Sequence, residues 1–143
     1  MKQAFFIVLL PLLFTSCSTP EVPYEALEIL LENKNPLTHS LNNKKYSGLA
    51  VEYQNSVKVI YHINHGKTTL VEGFYKNGSK ERLINYKDGV LHGEYILWYP
   101  NGSIYLKQYY ENGELNGKAT MFNPLGEVER ETNYEKGKLV ESE

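Results

Sequence analysis

Residues 86–93 read Tyr-Lys-Asp-Gly-Val-Leu-His-Gly, residues 110–117 read Tyr-Glu-Asn-Gly-Glu-Leu-Asn-Gly, and residues 134–137 read Tyr-Glu-Lys-Gly. The three segments begin 24 residues apart. A second landmark, aromatic-x-Pro-x-Gly, recurs at the same spacing as Trp98, Pro100 and Gly102 and as Phe122, Pro124 and Gly126. This agreement at one period indicates internal repeats, in which each unit is a small supersecondary structure.

Turn glycines divide the repeats into short segments. They alternate at steps of 11 and 13 residues, as Gly78, Gly89, Gly102, Gly113, Gly126 and Gly137. Asn or Asp precedes the first four, and these residue types tolerate the positive φ of a type I′ hairpin turn. The sequence therefore predicts tight hairpin turns at these glycines, of type I′ wherever Asn or Asp comes first.

The segments between the turns have the length and composition of strands, since they are five to seven residues long and rich in β-branched and aromatic residues. We predict strands at residues 57–63, 69–75, 81–86, 94–99, 104–110, 118–122 and 128–134, and about eight in all. The predicted fold class is all-β, an elongated single-layer antiparallel sheet of stacked β-hairpin repeats in which each unit is stabilised mainly by its neighbours.

Aromatic residues fall on both predicted faces of this sheet. The chain has 12 Tyr and 1 Trp, a ratio that suits tyrosines packing across neighbouring strands with their hydroxyls in water. Strict alternation places Tyr105 and Tyr109 on one face of their strand. Cross-strand packing is the favoured explanation, and a binding face is the alternative; its candidate residues are Tyr95, Trp98, Tyr99, Tyr105 and Tyr109.

The motif Tyr-x-x-Gly-x-Leu-x-Gly, followed by an aromatic residue and Asn-Gly, resembles the variant MORN repeat of bacteria. The resemblance covers residues 75–140 and is degenerate upstream. It departs from the eukaryotic MORN consensus, which has closer-spaced glycines and a regular Trp, so the lipid-binding roles of those proteins are not carried over. Bacterial relatives are often lipoproteins, and one group is labelled as antitoxins.

The first 17 residues have the pattern of an export signal. Lys2 precedes a run of apolar residues too short to span a bilayer and of the length of a signal-peptide core. The segment Phe14-Thr-Ser-Cys17 then resembles a lipobox and contains the single cysteine of the chain. We predict a signal peptide over residues 1–16 and lipidation of Cys17, which would tether the protein to a membrane. The predicted location is the bacterial cell envelope, with the outer membrane favoured.

Residues 17–45 are predicted to form a tether, a short capping helix and a loop ahead of the repeat domain at 46–143. Tyr24, Leu27 and Leu31 lie at the i, i+3, i+7 spacing of a helix face, which favours a helix over residues 24–32. The rival interpretation is a strand over 27–31. Residues 33–45 are rich in Asn, Lys and Ser and read as a loop.

Catalytic and metal-binding patterns are missing from the sequence. His62 and His65 are spaced so that an extended strand would point them to opposite faces, which disfavours a metal site. No nucleophile motif, phosphate loop or calcium loop occurs. The formal net charge is −2, and no basic stripe suggests nucleic acid. We therefore expect no enzyme activity, no cofactor, no metal and no nucleic-acid partner.

Three functions remain open from the sequence. The leading hypothesis is a lipid-anchored envelope protein whose repeats bind another protein without catalysis. A second, which rests on the family resemblance, is an antitoxin or immunity protein that sequesters a toxin. A third is glycan binding, in which Tyr95, Trp98 and Tyr99 stack on sugar rings.

Overall fold

The computed structural model describes residues 19, 21–30, 38–42 and 44–140, with only the backbone described at 28–30. Strands make up most of this part of the chain. They are β1 (Glu21–Pro23), β2 (Glu28–Leu30), β3 (Thr38–Leu41), β4 (Lys44–Lys45), β5 (Gly48–Gln54), β6 (Val57–Asn64), β7 (Lys67–Phe74), β8 (Lys80–Lys87), β9 (Val90–Trp98), β10 (Ile104–Glu111), β11 (Glu114–Leu115), β12 (Gly117–Phe122), β13 (Val128–Glu135) and β14 (Lys138–Val140).

Eleven of the described strands form one open sheet. Its order is β1-β5-β6-β7-β8-β9-β10-β12-β13-β14, and β11 pairs with β10 beside this path. Strands β2, β3 and β4 form a separate small sheet. The pairing is antiparallel except where β1 lies parallel to β5. The predicted all-β sheet of stacked hairpins is confirmed, and eight described strands have six or more residues.

Two-residue hairpin turns close one side of the repeats. Asp88 and Gly89 have φ values of 54° and 82°, and Asn112 and Gly113 have 51° and 86°. Positive φ at both central residues is the property of a type I′ turn, whose twist matches that of the flanking strands. These turns agree with the sequence prediction.

The turns on the other side are longer and of a different type. Gly78 has a φ of 84°, whereas Asn77 does not enter the positive region. The Gly78 amide donates to the Tyr75 carbonyl at 2.8 Å, and the Tyr75 amide donates to the Ser79 carbonyl at 2.9 Å. This is a type I turn followed by a left-handed glycine. The prediction of a type I′ turn is wrong here and at Gly102, because Asn77 and Asn101 stay outside the positive-φ region. Their side chains instead accept hydrogen bonds from the amides of Ser79 and Ser103, each at 3.0 Å.

The predicted helix over residues 24–32 is wrong. A single 3₁₀ turn spans Tyr24–Ala26, the backbone is extended again at Leu27 (φ −86°, ψ 132°), and β2 follows. A helix this short has little intrinsic stability. The extended path instead buries Leu27 in a cluster with Tyr46, Ala50 and Ile63. The rival strand interpretation is the closer one.

The predicted loop over residues 33–45 contains two strands, β3 and β4, in its described part. Their backbone is held by the turn between β6 and β7, because the His39 amide donates to the Gly66 carbonyl and the Gly66 amide to the Tyr46 carbonyl, each at 2.7 Å. Thr38, His39 and Ser40 are buried. Non-local hydrogen bonds therefore ordered a polar segment whose composition alone suggested a loop.

The signal peptide predicted at 1–16 and the lipidation site Cys17 lie outside the described residues. Among the residues that the structure describes, no helix has the length and apolar character needed to cross a bilayer.

Candidate interaction surfaces

One side of the sheet, here called the tyrosine face, carries a row of residues on five consecutive strands. Directly paired residues project from the same side of a sheet. The pairing along this row runs through Tyr61, Val71, Ile84, Tyr95 and Gln108. The Tyr110 ring extends the row, with its centroid 5.8 Å from that of Tyr95. Val71 and Ile84 are buried, and the tyrosines are half-buried around them.

The N-terminal end of the tyrosine face is covered. The Tyr24 ring stacks on Tyr61 with the centroids 4.3 Å apart. The Tyr61 hydroxyl donates to the Glu52 carboxylate at 3.1 Å, and the Gln54 amide donates to the same oxygen at 2.9 Å. Burial, followed by the hydrogen bond to Glu52, raises the pKa of Tyr61 well above its ordinary value. The phenol is therefore neutral at physiological pH and serves as a packed hydrogen-bond donor.

The structure divides the five predicted binding-face aromatics between the two sides of the sheet. Tyr95 belongs to the tyrosine face. Tyr109 pairs with Glu94, the strand neighbour of Tyr95, and therefore lies on the opposite face. Trp98 is four residues beyond Glu94 in β9 and shares that opposite face, where the Lys80 ammonium lies 5.7 Å from the centre of its ring.

The remaining two predicted aromatics, Tyr99 and Tyr105, contact one another. Their rings meet edge to face with the centroids 5.1 Å apart, beside the turn that follows β9. The five residues are therefore not brought together as one platform. In particular, Tyr95 and Trp98 project in opposite directions, so the proposed glycan-stacking trio does not form a single surface.

A ladder of hydrogen bonds ties each long turn to the turn one repeat later. The Tyr75 hydroxyl donates to the Trp98 carbonyl at 2.7 Å, and the Asn77 side-chain amide donates to the Pro100 carbonyl at 3.2 Å. One repeat on, the hydroxyl of Tyr99 and the side-chain amide of Asn101 make the same bonds to Phe122 and Pro124, at 3.0 and 2.9 Å. These residues act as straps between successive hairpins, and each strap joins the ends of two strands that do not pair with one another.

The type I′ turns on the other side form their own ladder. The Gly113 amide donates to the Leu91 carbonyl and the Gly137 amide to the Leu115 carbonyl, each at 2.8 Å. Neither ladder was predicted from the sequence, in which these residues indicate only turns. The signal was nevertheless present, because Asn-Gly-Ser occurs at residues 77–79 and again one period later at 101–103.

The titratable side chains of the described part of the chain lie in separate small contacts. His62 Nε2 lies 2.9 Å from the Glu72 carboxylate, and His65 occupies a turn with a φ of 48°. No group of three or more His, Cys, Asp or Glu side chains among the described residues could hold a metal ion.

A protein whose open sheet consists of 24-residue hairpin units, with hydrogen bonds between successive turns, is a β-hairpin repeat protein. The family model described as MORN repeat variant matches residues 67–88, 91–112 and 105–123. The chain therefore carries MORN-variant repeats between residues 67 and 123, as its Tyr-x-x-Gly motif indicated. No curated protein gives a significant match to the sequence. Repeats of this family are generally non-catalytic and suggest a protein-interaction module.

Proposed function

We propose that this protein is a non-catalytic protein-interaction module held at the bacterial cell envelope by a lipid on Cys17. The observation that carries the interaction role is the open sheet. From β8 onward the principal contacts of each strand are with its neighbours in the sheet, so both faces remain available in the described structure. Large apolar side chains such as Val128 and Leu139 are exposed there, and exposed apolar surface of this kind is typical of binding surfaces.

The proposed anchor rests on the sequence around Cys17. An apolar run of signal-peptide length precedes the lone cysteine, and Ser18 follows it, a combination that favours lipidation and sorting to the outer membrane. Two or more acyl chains would hold the protein stably at the bilayer surface, whereas one would not.

Intact mass and membrane fractionation of the native protein, beside a Cys17→Ala variant, test the anchor. We expect a lipid mass increment and recovery with the outer membrane, both lost in the variant. A native protein that is unmodified and fractionates with soluble proteins would contradict the anchor.

Photo-cross-linking in the native cells tests the interaction role. A cross-linking amino acid is placed at Tyr95 on the tyrosine face, at Tyr109 on the opposite face, and at Lys136 in an exposed turn as the control. We expect a face position to give one protein adduct, and the turn position to give none. Mass spectrometry should identify the same cross-linked protein in repeated experiments. Absence of any protein adduct from both faces would contradict the proposal.

A further inference from the structure

Aromatic residues and lysines alternate across five neighbouring strands on the face opposite the tyrosine face. Tyr53 pairs with Lys58, Lys58 with Phe74, and Phe74 with Lys80. The Lys80 ammonium then lies over the Trp98 ring at 5.7 Å. With strands roughly 4.8 Å apart, this lysine–aromatic row extends over about 19 Å.

The lysines of this row differ from those elsewhere on the same face. In the later repeats Lys107 Nζ forms an ion pair with Glu94 Oε1 at 2.8 Å, and Lys118 Nζ forms one with Glu131 Oε1 at 2.7 Å. Lys58 and Lys80, by contrast, have no carboxylate partner among the described residues. The row therefore presents two ammonium groups that form no ion pair within the described part of the chain, and Glu72, the nearby acid on this face, is bonded to His62.

The repeat itself shows that strand structure does not require lysine in the row. The positions one and two periods after Lys80 are Ile104 and Val128, and those after Phe74 are Trp98 and Phe122. The aromatic position is kept while the position of Lys80 becomes aliphatic. The positive charge at this repeat position is therefore found only in the first units, and the later units have an aliphatic residue there.

A groove of about 620 Å³ opens at the start of the row. Tyr53, Ile60 and Phe74 form its apolar walls, Lys58 and Lys76 are its charged residues, and no acidic side chain lines it. Tyr53 is 73% exposed and makes no side-chain hydrogen bond within the described structure. A volume of this size accommodates one large apolar side chain with the backbone around it.

We propose that the lysine–aromatic row binds an acidic segment of a partner protein that carries one large apolar side chain. The apolar side chain enters the groove between Tyr53 and Phe74, and flanking carboxylates pair with Lys58 and Lys80. An apolar anchor surrounded by complementary charge is a common arrangement of binding hot spots. The inference rests on the proposed interaction role and assigns it a surface and a partner chemistry.

A single-stranded nucleic acid fits the same row less well. Such ligands need open ring faces for base stacking and a run of cationic residues along their phosphates. The Trp98 ring is already covered by Lys80, and the net charge of the chain is −2. An acidic peptide needs only the few unpaired lysines that are present.

The test uses the peptide Glu-Glu-Phe-Glu-Glu, labelled for fluorescence anisotropy, and the full repeat protein. Because Trp98 is the only tryptophan of the chain, its emission reports occupancy of the row independently of the label. We expect saturable binding with a change in Trp98 emission, and weakening of at least tenfold by Lys58→Glu combined with Lys80→Glu. The matched control, Lys118→Glu on the same face, should change affinity less than twofold.

Further peptides and ligands separate the possible occupants. Replacing the central Phe by Ala, or the glutamates by lysines, should abolish binding if both the groove and the charges contribute. No response at millimolar peptide, or equal binding to the charge-reversed and control proteins, would overturn the proposal. Tighter binding of an oligothymidine or of phosphatidylglycerol vesicles, lost with the same lysine reversal, would overturn the assignment of a protein partner.

Two controls keep the result interpretable. Circular dichroism establishes that the charge-reversed protein is folded, and Lys58→Met with Lys80→Met, which removes charge and keeps length, replaces it where it is not. Photo-cross-linking from Tyr95 distinguishes the two proposals. Adducts without peptide binding would leave the interaction role standing and remove only this surface.

Discussion

The hydroxyl of Tyr75 and the carbonyl oxygen of Trp98 lie 2.7 Å apart, so that a turn after β7 is bonded to the last residue of β9. The bond bypasses the intervening strand β8 and couples one repeat to the next. Tyr99 and Phe122 reproduce it at 3.0 Å. In a repeat protein, stability depends on such terms between neighbouring units, and the periodic tyrosines supply one of them.

Tyr75→Phe removes this strap while it keeps the ring. We expect the free energy of unfolding to fall by about 0.5–1.5 kcal/mol, near the low end because the ring is partly exposed to water. Tyr109→Phe is the control, since Tyr109 is 42% exposed and makes no side-chain hydrogen bond among the described residues. Urea denaturation that gives the same loss for both variants would contradict a strap role.

Gly113 has a φ of 86°, and a Cβ built there meets no atom within 4 Å. Any cost of substitution is therefore backbone strain and not a clash. Gly113→Val should destabilise the fold by more than about 1 kcal/mol, because a β-branched residue tolerates this region worst. Gly113→Asn should cost clearly less, since Asn adopts left-handed conformations more readily. Equal melting temperatures for the two variants would show that positive φ is not the constraint.

Gly73 allows two side chains to lie across strand β7. A Cβ at this position would fall 2.6 Å from Glu81 Oε2 and 2.7 Å from Arg82 Cγ. Gly73→Ala should therefore cost about 1–3 kcal/mol, typical of overpacking. Adding Arg82→Ala should recover part of that loss, because the two changes share one space. Additive losses in a double-mutant cycle would argue against this packing.

His39 should make stability fall on mild acidification. The residue is 3% exposed, its Nε2 lies 3.1 Å from the Thr68 hydroxyl, and burial lowers its pKa. The unfolded chain takes up a proton near the ordinary value of about 6.5, whereas the folded protein resists it. The stabilisation is therefore complete above that pH and is lost as the pH falls through it.

Melting temperatures between pH 7.5 and 5.5 measure this effect. The decline should be smaller in His39→Gln than in the parent protein, while His65→Gln in the exposed turn should follow the parent. A decline that His39→Gln leaves unchanged would assign the pH dependence to other groups.

Most of the fold could be predicted from short-range backbone preferences. Turn glycines, the residues before them and the strand-forming segments all act within a few positions, so seven of the eight long strands could be located from the sequence, and β5 was not given a range. The segment at 24–32 failed because its helical spacing was outweighed by burial of Leu27 against residues from β5 and β6. Such contacts are non-local and produce no periodic pattern in the sequence.

The candidate interaction surfaces were less predictable because strand pairing decides which side chains share a face. Leu97 pairs with Leu106 but Trp98 pairs with Ile104, so the register shifts at Tyr105. Alternation alone had placed Tyr105 and Tyr109 on one face, and a bulge interrupts that alternation. The lysine–aromatic row was not predicted either, because its members lie on different strands and only strand pairing brings them together.

By itself, the sequence determined the 24-residue period, the positions of the hairpin turns and the presence of MORN-variant repeats, because the motif residues act through backbone preferences at short range. Only the tertiary structure decided which side chains share a face, which turns are strapped together and which lysines lack an acidic partner. Those properties depend on the register between strands, which the turns, the bulges and the burial of side chains against neighbouring strands fix together.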